Sequence, residues 1–280
     1  MIGRGLLERI LFPRVTLAPE ALERALKGKT VLVTGASFGI GEGVARIVAA
    51  AGAKVVLVAR TAEKLEAVAA DIRAGGGEAV VIAADLTDAA AVEALAPRIA
   101  ALAPDIVVSN AGKSIRRPLF ESLNRFHDVT RTIGVNYLGP VQLLLAAIPG
   151  LAQRKGQIVN VSAANVLLLP APYWAAYQAS KTAMDQWLRA AAPELEAHGV
   201  AVTSLYLPLV RTRMIAPTRI YADVPAMAPE QAARLVVRAM LRRPRRWMPW
   251  WLPPAHLASA LFRRPWEAIA ARQQRRRLGR

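Results

Sequence analysis

"KTVLVTGASFGIGEG", residues 29–43, decides how this 280-residue chain is read. Val31, Leu32 and Val33 form an unbroken apolar run, as expected of a strand buried on both faces. Glycines follow at Gly35, Gly39 and Gly41, and an Ala-rich helical pattern starts at once. A strand, a Gly-rich turn and a helix in that order make an anion cradle. The glycines let the backbone approach a pyrophosphate, and the helix turns free N–H groups and its positive end toward it. Gly35, Ser37, Phe38, Gly39, Ile40 and Gly41 are the candidate contacts.

Outward from this stretch the same alternation repeats. "KVVLVAR" (54–60), "EAVVIAAD" (78–85), "DIVVSNAG" (105–112), "GQIVNVS" (156–162) and "VAVTSLYLP" (200–208) read as strands. Helical patterns separate them at 61–76, with Thr61 as N-cap, and at 89–104, 123–151 and 177–198. Apolar strands alternating with helices predict a doubly wound, Rossmann-like α/β fold: a parallel sheet with helices on both faces. Ligands of such sheets bind beyond the carboxyl ends of the strands.

Those ends carry polar or small residues throughout. Arg60 follows the second strand, where an acid would hold a ribose 2′-hydroxyl. Arginine there suits a 2′-phosphate and predicts NADP(H). Asp85 and Leu86 follow the third strand, placed for an adenine edge. Asn110, Ala111 and Gly112 follow the fourth, and Ser162 the fifth. The sixth runs into "LPLVRTRM", with Val210 and Thr212 as candidate cofactor contacts. Tyr177 and Lys181 stand one turn apart on the following helix, on one face.

In combination these motifs resemble the short-chain dehydrogenase/reductase family. TGASFGIG (34–41), NAG (110–112), Asn136 in mid-helix and YQASK (177–181) carry the resemblance, over about residues 29–240. It implies that Tyr177 gives a proton to a carbonyl oxygen as hydride arrives from the nicotinamide. Lys181 would lower the tyrosine pKa and bond the nicotinamide ribose, and Asn136 would hold a water linking the lysine to solvent. Two positions depart from the family pattern. Ala163 stands where the catalytic serine is expected, so either Ser162, in a shifted register, or Asn165 supplies the donor, or that contact is lost. Pro208 replaces the glycine of the turn after the sixth strand.

"NAGKSIRRPLFES", "RFHDVTRTIGVNYLG" and "PLVRTRMIAPTRIY" are further similar to the reductase domain of bacterial fatty acyl-CoA reductases. This similarity implies a long-chain acyl, aldehyde or keto-lipid substrate, with residues 214–228 as its lid. The rivals are a β-keto or hydroxysteroid-like alcohol dehydrogenase, and a weakly catalytic NADP-binding sensor or scaffold at a membrane.

The chain divides into an N-terminal amphipathic extension (1–28), the reductase domain (29–240) and a basic, Trp-bearing extension (241–280). The net charge is +17, and residues 231–280 hold thirteen arginines against the single acid Glu267, or +12 of it. Ile2, Leu6, Leu7, Ile10 and Leu11 recur at helical spacing at the N-terminus. Trp247, Trp250, Trp251 and Trp266 beside arginine pairs suit a membrane headgroup layer. The alternatives are packing on the substrate region or a subunit interface, or arginines meeting coenzyme A phosphates. With no cysteine and three scattered histidines, disulfides and a structural metal are not expected. No transmembrane helix and no nucleic-acid partner are expected. A homo-oligomer is, in the cytoplasm or on the inner face of a membrane.

Overall fold

A computed structural model describes residues 4–12, 14–216 and 218–278. Seven parallel strands form one sheet in the order β3-β2-β1-β4-β5-β6-β7. The strands are β1 (Thr30–Thr34), β2 (Lys54–Ala59), β3 (Glu78–Ala83), β4 (Ile106–Ser109), β5 (Gln157–Ala163), β6 (Ala201–Leu207) and β7 (Arg246–Trp247). The chain winds from β1 out to β3, then returns to lay β4 on the other side of β1. The switch between β1 and β4 opens a crevice at their carboxyl ends, where such sheets bind ligands.

The helices are α1 (Arg4–Leu11), α2 (Pro19–Leu26), α3 (Gly39–Ala50), α4 (Ala62–Ala74), α5 (Ala89–Leu102), α6 (Phe126–Ile133), α7 (Gly139–Arg154), α8 (Ala175–Ala197), α9 (Pro229–Arg242), α10 (Leu252–Leu261) and α11 (Arg263–Arg277). One face of the sheet packs on α3, α4 and α9. The other packs on α5, α7 and α8. Val31, Val33 and Val55 point to the first face, and Leu32, Val56 and Val58 to the second. This two-sided burial is why the strands read as unbroken apolar runs rather than alternating ones.

The six expected strands are present, as is the helix expected over 177–198. Several features go beyond the sequence reading. α2, α9, α10 and α11 were not anticipated. β7 pairs with β6 through only two residues, Ser204 with Arg246 and Leu205 with Trp247. Residues 241–280 therefore start by extending the sheet. The helix expected over 123–151 is α6 and α7 joined by a π-helical turn, Gly134–Leu138, with Asn136 inside it; such turns are frequent at functional sites. By length and apolarity alone this helix, Phe126–Arg154, would be enough to cross a bilayer, a measure that the core helix of a folded domain also passes. Its buried side forms the core against α5 and β4, with Gly139 seated so close to Leu86 that a Cβ would lie 2.0 Å from that carbonyl oxygen. Ile2, of the expected N-terminal helix, lies outside the described residues.

Candidate active site

The crevice at the β1/β4 switch holds a cavity of about 510 Å³. Its floor is the Gly-rich turn. Gly35 and Gly39 have φ of +67° and +66°, a region that suits glycine. A Cβ on Gly41 would lie 2.3 Å from the Gly35 carbonyl oxygen, and one on Gly35 2.9 Å from Ala111 Cα. Phe38 precedes α3 with no side-chain cap, so the first amides of α3 are left for a ligand. These features fit a dinucleotide pyrophosphate.

Asn110 braces the turn. Its Nδ2 donates to the carbonyls of Thr34 (3.0 Å) and Gly35 (3.3 Å). Thr34 Oγ1 in turn accepts from the amides of Asn110 (2.9 Å) and Ala111 (3.0 Å). Thr212 reaches over from the turn after β6, where its Cγ2 would be 3.4 Å from a Cβ on Gly39. Val210 lines the same cavity.

Arg60 lies farther out, at the end of β2, and its guanidinium is 3.9 Å from the Asp85 carboxylate. Asp85 Oδ1 accepts from the backbone and hydroxyl of Thr87, at 2.9 and 2.8 Å. Leu86 differs from expectation: its side chain is buried in the core under α5 and α7, so only its backbone is left for a cofactor. Lys113, which the sequence reading passed over, joins this region. Its pKa is pushed down, first by burial and then by the nearby charges of Arg131 and Arg60. Lys113 thus lies within electrostatic reach of Arg60 and Arg131, and of Asp128 and Asp85.

The chemical end of the cavity is built on α8. Tyr177 and Lys181 both line it. Lys181 Nζ is buried and donates to the Val161 carbonyl at 3.2 Å. Asn136 Nδ2 donates to the Lys113 carbonyl (2.9 Å) and to Ser180 Oγ (2.8 Å), while its Oδ1 accepts from Lys113 N–H (2.8 Å). Ser180 Oγ donates to the Tyr177 carbonyl at 2.8 Å. Asn136 thus ties the Gly112–Lys113 loop to α8, with Gly112 against both Asn136 Oδ1 and Lys181 Nζ. Ser180 is a brace that no motif announced.

Burial pushes the Tyr177 phenol up to about 12, with Tyr221 adding to the effect, and pushes Lys181 down to about 8. The net direction differs from the expectation of a lowered tyrosine pKa: desolvation raises it and keeps the phenol protonated.

β5 supplies the remaining polar groups. The register pairs Ser162 with Tyr206 and Ala163 with Leu207. Tyr206 lies beside Asp185 on α8, whereas Leu207 packs in the core on the opposite face. Ser162 therefore shares the α8 face. Its Oγ is buried, lines the cavity and has no hydrogen-bond partner among the described residues. Asn165 also lines the cavity, with Oδ1 unpartnered and its main-chain carbonyl held by Gln178 Nε2 at 2.7 Å.

The outer wall comes partly from the expected lid and partly from residues the sequence reading did not place there. Leu11 and Phe12 reach in from the N-terminus and Trp251 from the start of α10. Met214, Ile215, Tyr221 and Pro225 close the side where the lid was expected; Pro217, within that lid, lies outside the described residues. Trp174 stacks on Tyr221 with ring centroids 5.7 Å apart.

The C-terminal extension folds over the loop between β5 and α8. Trp266 Nε1 donates to the Pro170 carbonyl (3.0 Å), and His256 Nδ1 lies 2.6 Å from the Leu167 carbonyl. Tyr173 donates to Gln274 Oε1 (2.6 Å) and accepts from Arg277 (2.9 Å). Trp247 packs on the core. Of the four tryptophans proposed for a headgroup layer, three are thus turned onto the protein, and Trp250 alone is largely exposed.

Comparison with known proteins agrees with this geometry. The chain is 49% identical over 231 residues to a fatty acyl-CoA reductase of Acinetobacter baylyi, covering 81% of this chain and 78% of that protein. A fatty acyl-CoA reductase of Mycobacterium tuberculosis is 43% identical over 229 residues, covering 80% and 77%. Among solved structures, a short-chain dehydrogenase from Sphingobium yanoikuyae in complex with NADPH superposes with a TM-score of 0.73 at 28% identity, over 88% of this chain and 94% of that one. A 3-oxoacyl (acyl-carrier-protein) reductase from Agrobacterium tumefaciens with NADP bound gives 0.70 at 29% identity, over 80% and 91%. Residues 29–221 match the short chain dehydrogenase family, and the chain belongs to it.

Proposed function

We propose that the protein is an NADPH-dependent reductase of a long-chain acyl, aldehyde or keto-lipid carbonyl. One observation carries this: the cradle, the Tyr177–Lys181 pair and an apolar wall made of Leu11, Phe12, Met214, Ile215 and Trp251 share a single cavity. Arg60, in place of an acid, supports NADP(H) over NAD(H). The relatives named fatty acyl-CoA reductase support an acyl chain in the apolar part.

The cofactor, when bound, supplies the hydride. Asn110 and the Gly-rich turn hold its pyrophosphate end, and Thr212 covers the nicotinamide side. The carbonyl of an aldehyde or keto-lipid lies against Tyr177, whose phenolic O–H donates to the carbonyl oxygen and transfers its proton as that oxygen becomes an alcohol; with an acyl thioester the same hydride and proton give a hemithioacetal, which releases the thiol and leaves the aldehyde. A phenol held protonated by burial suits this direction. Lys181, with its charge kept close by, stabilises the phenolate left behind, and Asn136 fixes the loop and helix that present it. We assign Ser162 as the second donor to the carbonyl oxygen, since its buried hydroxyl has no other partner among the described residues.

The first experiment follows NADPH consumption with aldehydes, ketones and acyl-CoA esters of increasing chain length. Turnover rising with chain length supports this reading. Preference for compact cyclic ketones would move the assignment to a hydroxysteroid-like dehydrogenase, and tight NADPH binding without turnover on any of them to a sensor.

Ser162→Ala should lower kcat by about 10²–10³, the usual cost of losing one donor to a developing oxyanion. Asn165→Ala should change it little. The reverse ranking would give the donor role to Asn165. Exposed Leu138 and Leu145, two turns apart on the 126–154 helix, support a second copy of the chain seated there.

A further inference from the structure

Part of the cavity's outer wall comes from outside the family-matched residues, from the two chain extensions. Leu11 and Phe12 line the cavity from inside, and Ile10, next to them, is half exposed. Trp251 lines it from the other side, and its neighbour Trp250 is exposed. The two extensions meet at this rim, where Trp250 Nε1 donates to the Ile10 carbonyl at 3.1 Å.

Both bear apolar side chains turned to solvent. On α1, Glu8 and Leu11 face the protein: Glu8 pairs with Arg211 at 3.0 Å. Leu6, Leu7 and Ile10 fall on one stripe about 100° wide on the outer side and are exposed. α10, LPPAHLASAL, contains no acidic or basic side chain other than His256. Leu252, Ala255 and Ser259 turn inward along it, while Leu257 and Leu261, one turn apart, are 61% and 69% exposed, with Phe262 next to them at 59%.

The charge around these apolar side chains is of one sign. α11 carries six arginines and one acid, and that acid, Glu267, is paired with Arg263 at 3.0 Å. Arg9, Arg14, Arg264, Arg272, Arg275 and Arg276 are exposed and have no acidic partner among the described residues. Exposed Leu, Ile, Phe and Trp flanked by arginines match the chemistry of an anionic bilayer surface, with its apolar layer beneath negative headgroups.

We propose that α1 and α10, with the arginines of α11, form a docking surface for an anionic lipid bilayer, and that it sets the mouth of the cavity against the membrane so that a lipid substrate enters from the bilayer. The second half rests on the reading of the cavity as a lipid-carbonyl site; the first does not. This surface differs from a tail anchored through its tryptophans, because three of the four are used to fasten the extension to the protein.

The test is flotation of the full chain, without substrate, with vesicles of phosphatidylcholine alone or mixed with phosphatidylglycerol. Binding is expected to the mixed vesicles and to weaken with salt. The doubly substituted L257E/L261E should lose on the order of tenfold or more in partitioning, as should R264Q/R272Q. Both leave the catalytic residues untouched and should reduce a short, water-soluble aldehyde at the wild-type rate. Slow reduction of vesicle-borne long-chain aldehyde with normal reduction of the soluble one is then expected.

Absence of binding to mixed vesicles overturns the surface. Binding that falls in R264Q/R272Q but not in L257E/L261E reduces it to a charge contact without insertion and overturns the apolar half. A change from dimer to monomer in L257E/L261E, measured by sedimentation, would assign the face to a second copy of the chain instead. Failure to reduce any aldehyde would count against the reductase reading and leave the flotation result standing.

Discussion

Tyr177→Phe should lower kcat for carbonyl reduction by about 10²–10⁴, the range supplied by a positioned proton donor, with NADPH affinity nearly unchanged. The substitution removes one hydroxyl from a ring that packs edge-on against Trp174, with centroids 6.0 Å apart, and keeps the ring. The fold and cradle should therefore survive, and quenching of the protein's fluorescence by NADPH would report binding separately from turnover. Retained turnover would remove Tyr177 from the chemistry. The pH profile gives a second, independent sign. Below about 8 Lys181 is charged; above it the ammonium is lost. The Tyr177 phenol, with its pKa near 12, stays protonated through that range. The kcat/KM of the wild-type enzyme, which reports groups of the free protein, should thus decline as pH rises through about 8, and the cause is Lys181 rather than Tyr177.

Gly41→Ala should have a comparably large effect through the cofactor. Within a helix, replacing glycine by alanine ordinarily stabilises by about 0.5–1 kcal/mol. Here the new Cβ would lie 2.3 Å from the Gly35 oxygen and 2.7 Å from Asn110 Nδ2. Relief requires the turn to shift by about 1 Å, and a displacement of that size at a site of reaction lowers kcat/KM by about 100-fold. The readouts are the NADPH dissociation constant and kcat/KM. Gly75→Ala is the control, because its nearest contacts would be ordinary, at 3.5 and 3.6 Å. Equal behaviour of the two variants would mean that the turn does not hold the cofactor.

The parts of the protein fixed by local chemistry were legible in its sequence. Val31 to Val33, the glycines after them and Tyr177 with Lys181 each depend on contacts within one strand, one turn or one helical turn. Strand burial on both faces leaves an unbroken apolar signature, and a Gly-rich turn between strand and helix admits few conformations. The parallel sheet, the cradle and the position of the pair followed from those features.

What the sequence left open depends on contacts between distant segments. The Tyr177 phenol is raised by burial, with the electrostatic effect of Tyr221 adding to it, and neither is carried by the spacing to Lys181. Whether Ser162 or Ala163 faces α8 is set by the register of β5 against β6, which no motif encodes. Leu86 looked like a cofactor contact by position, yet packing under α7 takes its side chain. The largest gap concerns the ends of the chain. Their composition announced arginine and tryptophan but not where each points. Only tertiary packing turns Trp251 and Phe12 into the cavity, fastens Trp266 to Pro170 and leaves Trp250, Leu257 and Leu261 in solvent. Side chains of the same type take opposite roles there, because burial is decided by which surfaces meet across more than two hundred residues of chain, as Trp250 and Ile10 do.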